Sequence, residues 1–401
     1  MNNLLKASSA VIFPFSLKII FIVFASKYIS KDIYGQYIIL ETLVFLFSQV
    51  FLSMPSQAFN RFFYSKNENE IIDEFRTLLF YINILSLFVS IIYFFYFFDF
   101  DIFLLVIILI YVILNNNISF LQQIFLIKKE RKKYLKIKII ESFSKSIIPI
   151  LSILYFSESI TNILVSNVIG FGILYLIILF YLGLFKLKQK ISENLLNYLR
   201  FSYPILFMSF FGWGISFSDR YFIEYFLDLE SVGNYSILSQ YAGLGQIIGS
   251  IFIIYVNPEI LSLINKDISL SLLKFKKYLK SLLFLLIGSF FLILIIPNYL
   301  FEFFIPIFKE PQIKIIFIIL YISVLFSVFQ NAYSLYFIIF EKLHLVAISF
   351  LFGFIINILL NIWIKDHGII MASLSTLISY FIINFMMIIF KKYNLNKINV
   401  I

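Results

Sequence analysis

Long apolar runs of about 20 residues, separated by short polar segments, divide the whole sequence. A helix of that length crosses a bilayer core of roughly 30 Å. The runs lack the strict alternation of β-barrel strands, so we expect helices. The sequence therefore predicts an all-α polytopic membrane protein with about twelve transmembrane helices. The predicted spans are residues 8–25, 37–58, 77–98, 102–127, 139–156, 161–184, 201–224, 235–256, 279–297, 314–340, 344–364 and 369–390.

The composition excludes a soluble protein and several kinds of site. Hydrophobic residues make up 61% of the chain and charged residues only 13%, about half the charge content of a soluble domain. There is no Cys, and the two His residues, His344 and His367, are far apart in the sequence. We therefore expect no disulfide, no metal site and no cofactor. A Gly-rich nucleotide loop is also lacking, which argues against a pump with its own ATPase.

The positive charges indicate how the chain is oriented in the membrane. Most of the 32 Lys and Arg residues lie in alternate connecting segments, including the run Lys128–Lys138. Such segments stay on the cytoplasmic side. The pattern predicts cytoplasmic termini and explains the net charge of +10 without a nucleic-acid partner. The longest of these segments, Asn257–Tyr278, is predicted to form an amphipathic helix on the membrane surface.

Short matching passages indicate that the chain consists of two related halves. Tyr34-Gly35-x-Tyr37 opens the second span, and Val232-Gly233-x-Tyr235 opens the eighth, 198 positions later. The passages 159–170 and 368–379 also occupy matching places near the end of each half. Six spans in each half give both halves the same orientation in the membrane. We therefore predict an N-terminal bundle over residues 1–190 and a C-terminal bundle over residues 191–401.

Three motifs in the second half have a recognisable order. They are Leu199-Arg200-x-x-x-Pro204, Asp219-Arg220-x-Phe222 and Val232-Gly233-x-Tyr235-Ser236. Together with the Gly35 junction they resemble the polysaccharide and oligosaccharide (O-antigen type) flippases of bacterial envelope synthesis. That family belongs to the superfamily that includes MATE exporters and lipid II flippases. The resemblance implies a MATE-like transporter with two six-helix bundles in a V around a central cavity.

The same resemblance implies a function and a set of partners. The substrate would be an oligosaccharide linked to undecaprenyl pyrophosphate, moved across the bacterial inner membrane by alternating access. The product would supply O-antigen or capsule synthesis, with membrane lipids, a polysaccharide polymerase and chain-length machinery as further partners. Such a protein is a transporter and not an enzyme.

Charged residues inside the predicted spans are the candidate functional residues, because each costs roughly 2.5–3.5 kcal/mol to insert. Lys18 lies near the middle of the first span and is too deep to reach the interface easily. Glu41 lies about one turn into the second span and could instead reach the outer interface. Asp219 and Arg220 lie in the outer part of the seventh span, where they form either a functional site or an interfacial ion pair.

Glu141 and Lys145 form a further candidate pair in the fifth span. They are four residues apart and so share one face of the helix. Glu141 also follows Lys138 closely, so the pair could simply lie in the headgroup region.

The repeat suggests how these charges could act together. Under the 198-residue offset Lys18 corresponds to Ser216, about one turn from Arg220. Both cations would then flank the cavity and meet the pyrophosphate of the substrate, whose transfer through hydrocarbon is otherwise prohibitive. Glu41 and Asp219 could tune these cations or carry a coupling proton.

Three other functions remain open from the sequence. A MATE-type exporter of small cations should have an acidic cavity, whereas Lys18 and Arg220 make this one partly basic. An envelope-glycan polymerase or membrane glycosyltransferase needs a sizeable outer loop with catalytic residues. The first outer loop offers only Lys27, Lys31 and Asp32. A structural subunit of an envelope assembly is the third alternative.

The predicted topology can be tested directly because the chain contains no cysteine. Single cysteines at Lys136 and Lys365 should react oppositely with a membrane-impermeant maleimide added to intact cells. Position 365 lies in a predicted outer loop and should be labelled, whereas position 136 should be labelled only after lysis. Labelling of position 136 from outside would overturn the topology.

Overall fold

The computed structural model of the chain describes residues 2–63, 68–97, 101–128, 130–182, 195–264, 267–297, 299, 301–302, 311–340 and 342–398. These residues form helices joined by short turns, with no strand among them. The helices are α1 (Asn2–Tyr28), α2 (Lys31–Phe45), α3 (Phe51–Phe62), α4 (Glu68–Phe97), α5 (Ile102–Ile127), α6 (Arg131–Tyr155), α7 (Ile160–Leu182), α8 (Leu195–Phe226), α9 (Leu229–Ala242), α10 (Gln246–Ile264), α11 (Ile268–Ile295), α12 (Pro311–Ile339), α13 (Leu343–Asn361), α14 (Ile364–His367) and α15 (Ile369–Ile398).

The predicted spans coincide with described helices. The span 102–127 has the same bounds as α5, and the other spans lie along single helices or along helices that run on from one another. Within the described part of the chain, eight helices are long and apolar enough to cross a membrane. The chain is therefore a multi-pass, all-helical membrane protein. The number of twelve spans and their division into two six-helix bundles stay predictions.

The second and eighth predicted spans each contain a segment that is not α-helical. A π-helical segment, Leu46–Val50, joins α2 to α3, and a 3₁₀ turn, Gly243–Gly245, joins α9 to α10. The two segments fall at nearly equivalent places under the 198-residue offset between the halves. Each segment interrupts the regular hydrogen-bond ladder at the point where one helix passes into the next.

One sequence prediction is wrong. Residues 257–278 do not form a separate surface helix, because α10 continues to Ile264 and α11 begins at Ile268. Asp267 ends the connection by accepting a hydrogen bond from the backbone N–H of Leu270 at 3.1 Å, as an N-cap. The apolar periodicity of this stretch therefore belongs to the ends of two long helices.

The structure divides into two compact units. One contains Met1–Gly35 and Gly214–Ile401, and the other contains Gln36–Trp213. In the first unit α15 packs along α12 and α13, and in the second α7 packs against α5 and α6. The predicted halves, 1–190 and 191–401, are defined by the repeat in the sequence and not by packing. Those boundaries stay a prediction.

The first unit contains a close crossing of the N-terminal turns of α2 and α9. A Cβ atom added at Gly35 would overlap the carbonyl oxygen of Leu229, and one added at Gly233 would overlap that of Lys31. Glycine is needed at both positions because only hydrogen fits between the backbones. Leu229 follows Lys31 by the same 198 positions that separate the two glycines, so the contact is reciprocal. The two junctions noted in the sequence therefore pack against each other.

The crossing predicts that Gly233→Ala destabilises the protein, because the new methyl group meets backbone that cannot rotate away. We expect the apparent melting temperature in detergent, followed by size-exclusion chromatography after heating, to fall by several degrees.

Gly288→Ala is the matched control, since Gly288 lies inside α11 and an added Cβ meets nothing within 4 Å. That variant should be neutral or stabilised by about 0.5–1 kcal/mol. Equal melting temperatures for the two variants would contradict the close crossing.

Candidate functional site

Asp219 and Arg220 form a buried ion pair near the end of α8. Asp219 Oδ1 accepts hydrogen bonds from the backbone N–H and from Nη1 of Arg220, both at 2.9 Å. The side chains are only 2% and 6% exposed. The pair is thus enclosed by the first compact unit in this structure. The sequence left open whether the pair forms a functional site or an interfacial ion pair. A functional role for it stays a prediction.

Residues of α8 and α9 complete the hydrogen bonds of this pair. Tyr235 donates its hydroxyl to Asp219 Oδ2 at 2.5 Å, and Arg220 Nη2 donates to Ser239 Oγ at 2.8 Å. The guanidinium also lies over the rings of Phe217 and Tyr235, 5.1 and 5.7 Å from their centroids. Such cation–π contacts add to the ion pair when water is excluded. We call Asp219, Arg220, Tyr235 and Ser239 the Asp–Arg cluster.

A second polar network adjoins the Asp–Arg cluster through Ser218. Ser218 donates to Asn357 Oδ1 at 3.0 Å, Asn361 donates to the same oxygen at 3.1 Å, and Ser375 donates to Asn361 Oδ1 at 2.5 Å. All four residues are buried, and they connect α8, α13 and α15. The sequence prediction missed this network. The available signal was the pair Asn357 and Asn361, four apart in an apolar helix and so on one face.

Equivalent tyrosines of the two repeats make similar contacts, each within its own unit. Tyr37 accepts a hydrogen bond from Asn167 Nδ2 at 3.3 Å. Tyr235 follows Tyr37 by 198 positions, and its hydroxyl lies near the side chain of Thr376. Asn167 and Thr376 hold the same place in the matching passages 159–170 and 368–379. The second half has a carboxylate and a guanidinium beside its tyrosine, at Asp219 and Arg220. The first half has the apolar residues Phe21 and Ile22 at the corresponding positions.

Glu141 and Lys145 lie together in the second unit, on one face of α6 as predicted. Glu141 Oε2 accepts hydrogen bonds from Gln122 at 2.7 Å and Lys138 at 2.8 Å, and Oε1 lies 3.4 Å from Lys145 Nζ. Lys145 also lies over Phe171, 5.1 Å from the ring centroid. The carboxylate is thus committed to two lysines and an amide, and a functional role for it stays a prediction.

The two remaining candidates belong to different units. Lys18 lies on α1 in the first unit, with an exposed side chain, although Leu17, Phe21 and Ile22 on the same helix are buried. Glu41 is half-buried on α2 in the second unit. The structure therefore pairs Asp219 with Arg220 and Glu141 with Lys145, and places Lys18 in the unit that holds Arg220. Among the described residues, no group of three or more His, Asp or Glu side chains could hold a metal ion.

Comparison with solved structures shows that the fold of this chain is one known from a flippase and from transporters. The lipid II flippase MurJ, in an inward closed conformation, matches with a TM-score of 0.72 and 18% identity over 96% of this chain and 87% of MurJ. A multidrug resistance MATE family transporter of the MOP superfamily, in an inward-facing conformation, matches with a TM-score of 0.71 and 10% identity, over 98% of this chain and 95% of the transporter. A mutant of the Vibrio cholerae MATE transporter VcmN matches with a TM-score of 0.69 and 13% identity. The match covers 98% of this chain and 95% of VcmN.

These likenesses show a fold shared with MurJ and the MATE transporters, which is the fold expected from the sequence. No family model matches the chain, and no curated protein matches it by sequence. The identities are low, so the substrate does not follow from the fold.

The Asp–Arg cluster predicts a large loss of stability when one charge alone is removed. Asp219→Leu leaves a buried guanidinium without its counter-charge, which costs about 3–5 kcal/mol. The double variant Asp219→Leu, Arg220→Met removes both charges and should recover most of that loss, since apolar replacement of a buried pair is often neutral. The energetic coupling between the two side chains is measured by comparing the apparent melting temperatures of the single and double variants in detergent. Additive losses in the double variant would mean that the two side chains do not depend on each other.

Proposed function

We propose that this chain is a flippase for an oligosaccharide linked to undecaprenyl pyrophosphate, working by alternating access in the bacterial inner membrane. The product would supply O-antigen or capsule synthesis, together with a polysaccharide polymerase and chain-length machinery. The fold shared with the lipid II flippase MurJ is compatible with a lipid-linked substrate. The placement of Lys18 is the observation that carries the proposal.

Lys18 is an exposed cation in the middle of a predicted span. A lysine that faced lipid at this depth would be expensive, so exposed charges inside spans face water-filled cavities or polar partners. A cation in such a cavity stabilises an anionic group that has left bulk water. The pyrophosphate of the proposed substrate is such a group, and its glycan needs the same wet path.

Arg220 has a different part in this proposal from that of Lys18. Its guanidinium is buried and shared between Asp219, Ser239 and the carbonyl oxygen of Ser216. It therefore contacts the pyrophosphate only in a state in which Asp219 has released it. Its Nε has no hydrogen-bond acceptor among the described residues, so one N–H remains for a phosphate oxygen. We propose Lys18 as the first contact and Asp219 as the group that controls Arg220.

The alternative is a MATE-type exporter of small molecules. The fold does not separate the two functions, because the TM-scores to MurJ and to a MATE transporter are 0.72 and 0.71. The exposed Lys18 supports the flippase, since a lysine repels a cationic drug. An envelope-glycan polymerase is less well supported, because the similar solved structures are transporters.

The proposal predicts that Lys18→Ala abolishes surface glycan while the protein still reaches the membrane. Lys18→Arg should retain much of the export, because a phosphate contact in a roomy cavity depends mainly on positive charge. Surface glycan is measured by gel and blot, and protein level by an epitope tag.

Two controls separate a flippase from an exporter and from a structural defect. Ser16→Ala changes a neighbouring exposed residue of α1 and should leave glycan export unchanged. Cells that lack the protein should accumulate ethidium at the wild-type rate if it is a flippase. Full glycan export by Lys18→Ala, or protein-dependent ethidium efflux, would overturn the proposal.

A further inference from the structure

Lys391, near the end of α15, is enclosed by aromatic rings from two other helices. Its Nζ lies 4.9 Å from the ring centroid of Tyr336, 5.1 Å from that of Tyr333 and 6.0 Å from that of Phe275. The two tyrosines lie on α12 and the phenylalanine on α11. This aromatic cage holds a cation at one end of a helical bundle. A lysine that served only as a topology anchor would extend into water.

Among the described residues, Lys391 has no acidic neighbour that balances its charge. Lys276 of α11 is close enough to repel it, and no described carboxylate acts on it. Glu259, near the C-terminal end of α10, is hydrogen-bonded to other residues. It accepts hydrogen bonds from Lys274 at 2.5 Å and from Tyr278 at 2.9 Å, which hold the pKa of its carboxyl below the ordinary value. Two like charges held near each other favour an anion between them.

A polar atom beside the cage is also unsatisfied. The hydroxyl of Tyr336 is buried and has no hydrogen-bond partner among the described residues, and the side chain is only 3% exposed. A buried hydroxyl without a partner is costly, so such groups usually meet a ligand or water. The hydroxyl can donate to an oxygen of a bound group, as the two ammonium groups can.

The surface next to the cage is apolar. Leu273 on α11 is 63% exposed, and Ile388 on α15 is 48% exposed, each within one turn of a cage residue. An anion bound at Lys391 therefore has hydrocarbon-compatible surface beside it. A free phosphate ion has no use for that surface, whereas the acyl chains of a lipid do.

We propose that Lys391, Lys276 and Tyr336 form a binding site for the phosphate headgroup of an anionic phospholipid. The acyl chains lie along the exposed faces of α11 and α15. Basic pockets between transmembrane helices on the cytoplasmic side bind such headgroups, and this end of both helices is the predicted cytoplasmic side. The site is independent of the proposed flippase function, since it concerns a resident lipid and not the transported substrate.

Native mass spectrometry of the purified protein tests the site, with phosphatidylglycerol and phosphatidylethanolamine as probes in detergent. The wild-type protein should retain phosphatidylglycerol at least tenfold more strongly than the zwitterionic lipid. Lys391→Met keeps the apolar stem and removes the charge, and should lose that preference. Lys391→Arg should keep it, because a guanidinium also binds both ring faces and phosphate.

Two further variants keep the result interpretable. Lys136→Met removes an exposed lysine of α6 and should bind like the wild type. Lys276→Met changes an exposed residue outside the cage and should weaken binding severalfold, which provides a test even if Lys391→Met does not fold. Wild-type lipid preference in either Lys276→Met or a folded Lys391→Met would overturn the proposal. Displacement of the lipid by millimolar inorganic phosphate would also overturn it, because a free anion would then be the ligand.

Discussion

Hydrocarbon offers no hydrogen-bond partner to a polar group, and that constraint determines how this chain is built. Backbone N–H and C=O groups satisfy one another along each helix, so the described part of the chain consists of helices joined by short turns. The same constraint acts on side chains. Several buried polar residues find a partner on a neighbouring helix, and such hydrogen bonds join helices that pack together. The Asp–Arg cluster joins α8 to α9 in this way, and the Ser218 network joins α8 to α13 and α15.

Direct approach of two helix backbones at glycine residues gives a second kind of contact between helices. Lipid tails are as apolar as leucine, so helices in a membrane associate through close approach more than through the hydrophobic effect. The crossing at Gly35 and Gly233 brings two backbones together at equivalent places in the two repeats. The repeats have diverged elsewhere, since Asp219 and Arg220 have apolar counterparts in the first half. The shared crossing and the unshared ion pair show that one half of the sequence can carry a buried ion pair that the other half lacks.

The charges of the chain fall into two classes with different physical roles. Some are compensated by a neighbour, as Glu141 is by Lys138 and Lys145, and Glu259 is by Lys274. Others are exposed within an apolar helix, as Lys18 is, or enclosed by aromatic rings, as Lys391 is. A charge held in an ion pair stabilises the folded protein, whereas a cation that is exposed within a span or enclosed by rings is placed to meet an anionic ligand. The two ligands proposed for this protein, a lipid-linked pyrophosphate and a phospholipid headgroup, both follow from the second class.

The sequence by itself determined the helical class and the positions of the long apolar helices, because hydropathy and length depend on local composition alone. It also placed Glu141 and Lys145 on one helix face and identified the two glycine junctions. Only the tertiary structure showed that those junctions contact each other, that Tyr235 completes the Asp–Arg pair, and that aromatic rings enclose Lys391. It also divided the predicted surface helix at Asp267. These features join residues distant in sequence, or depend on a single cap, and hydrophobic periodicity carries no information about either.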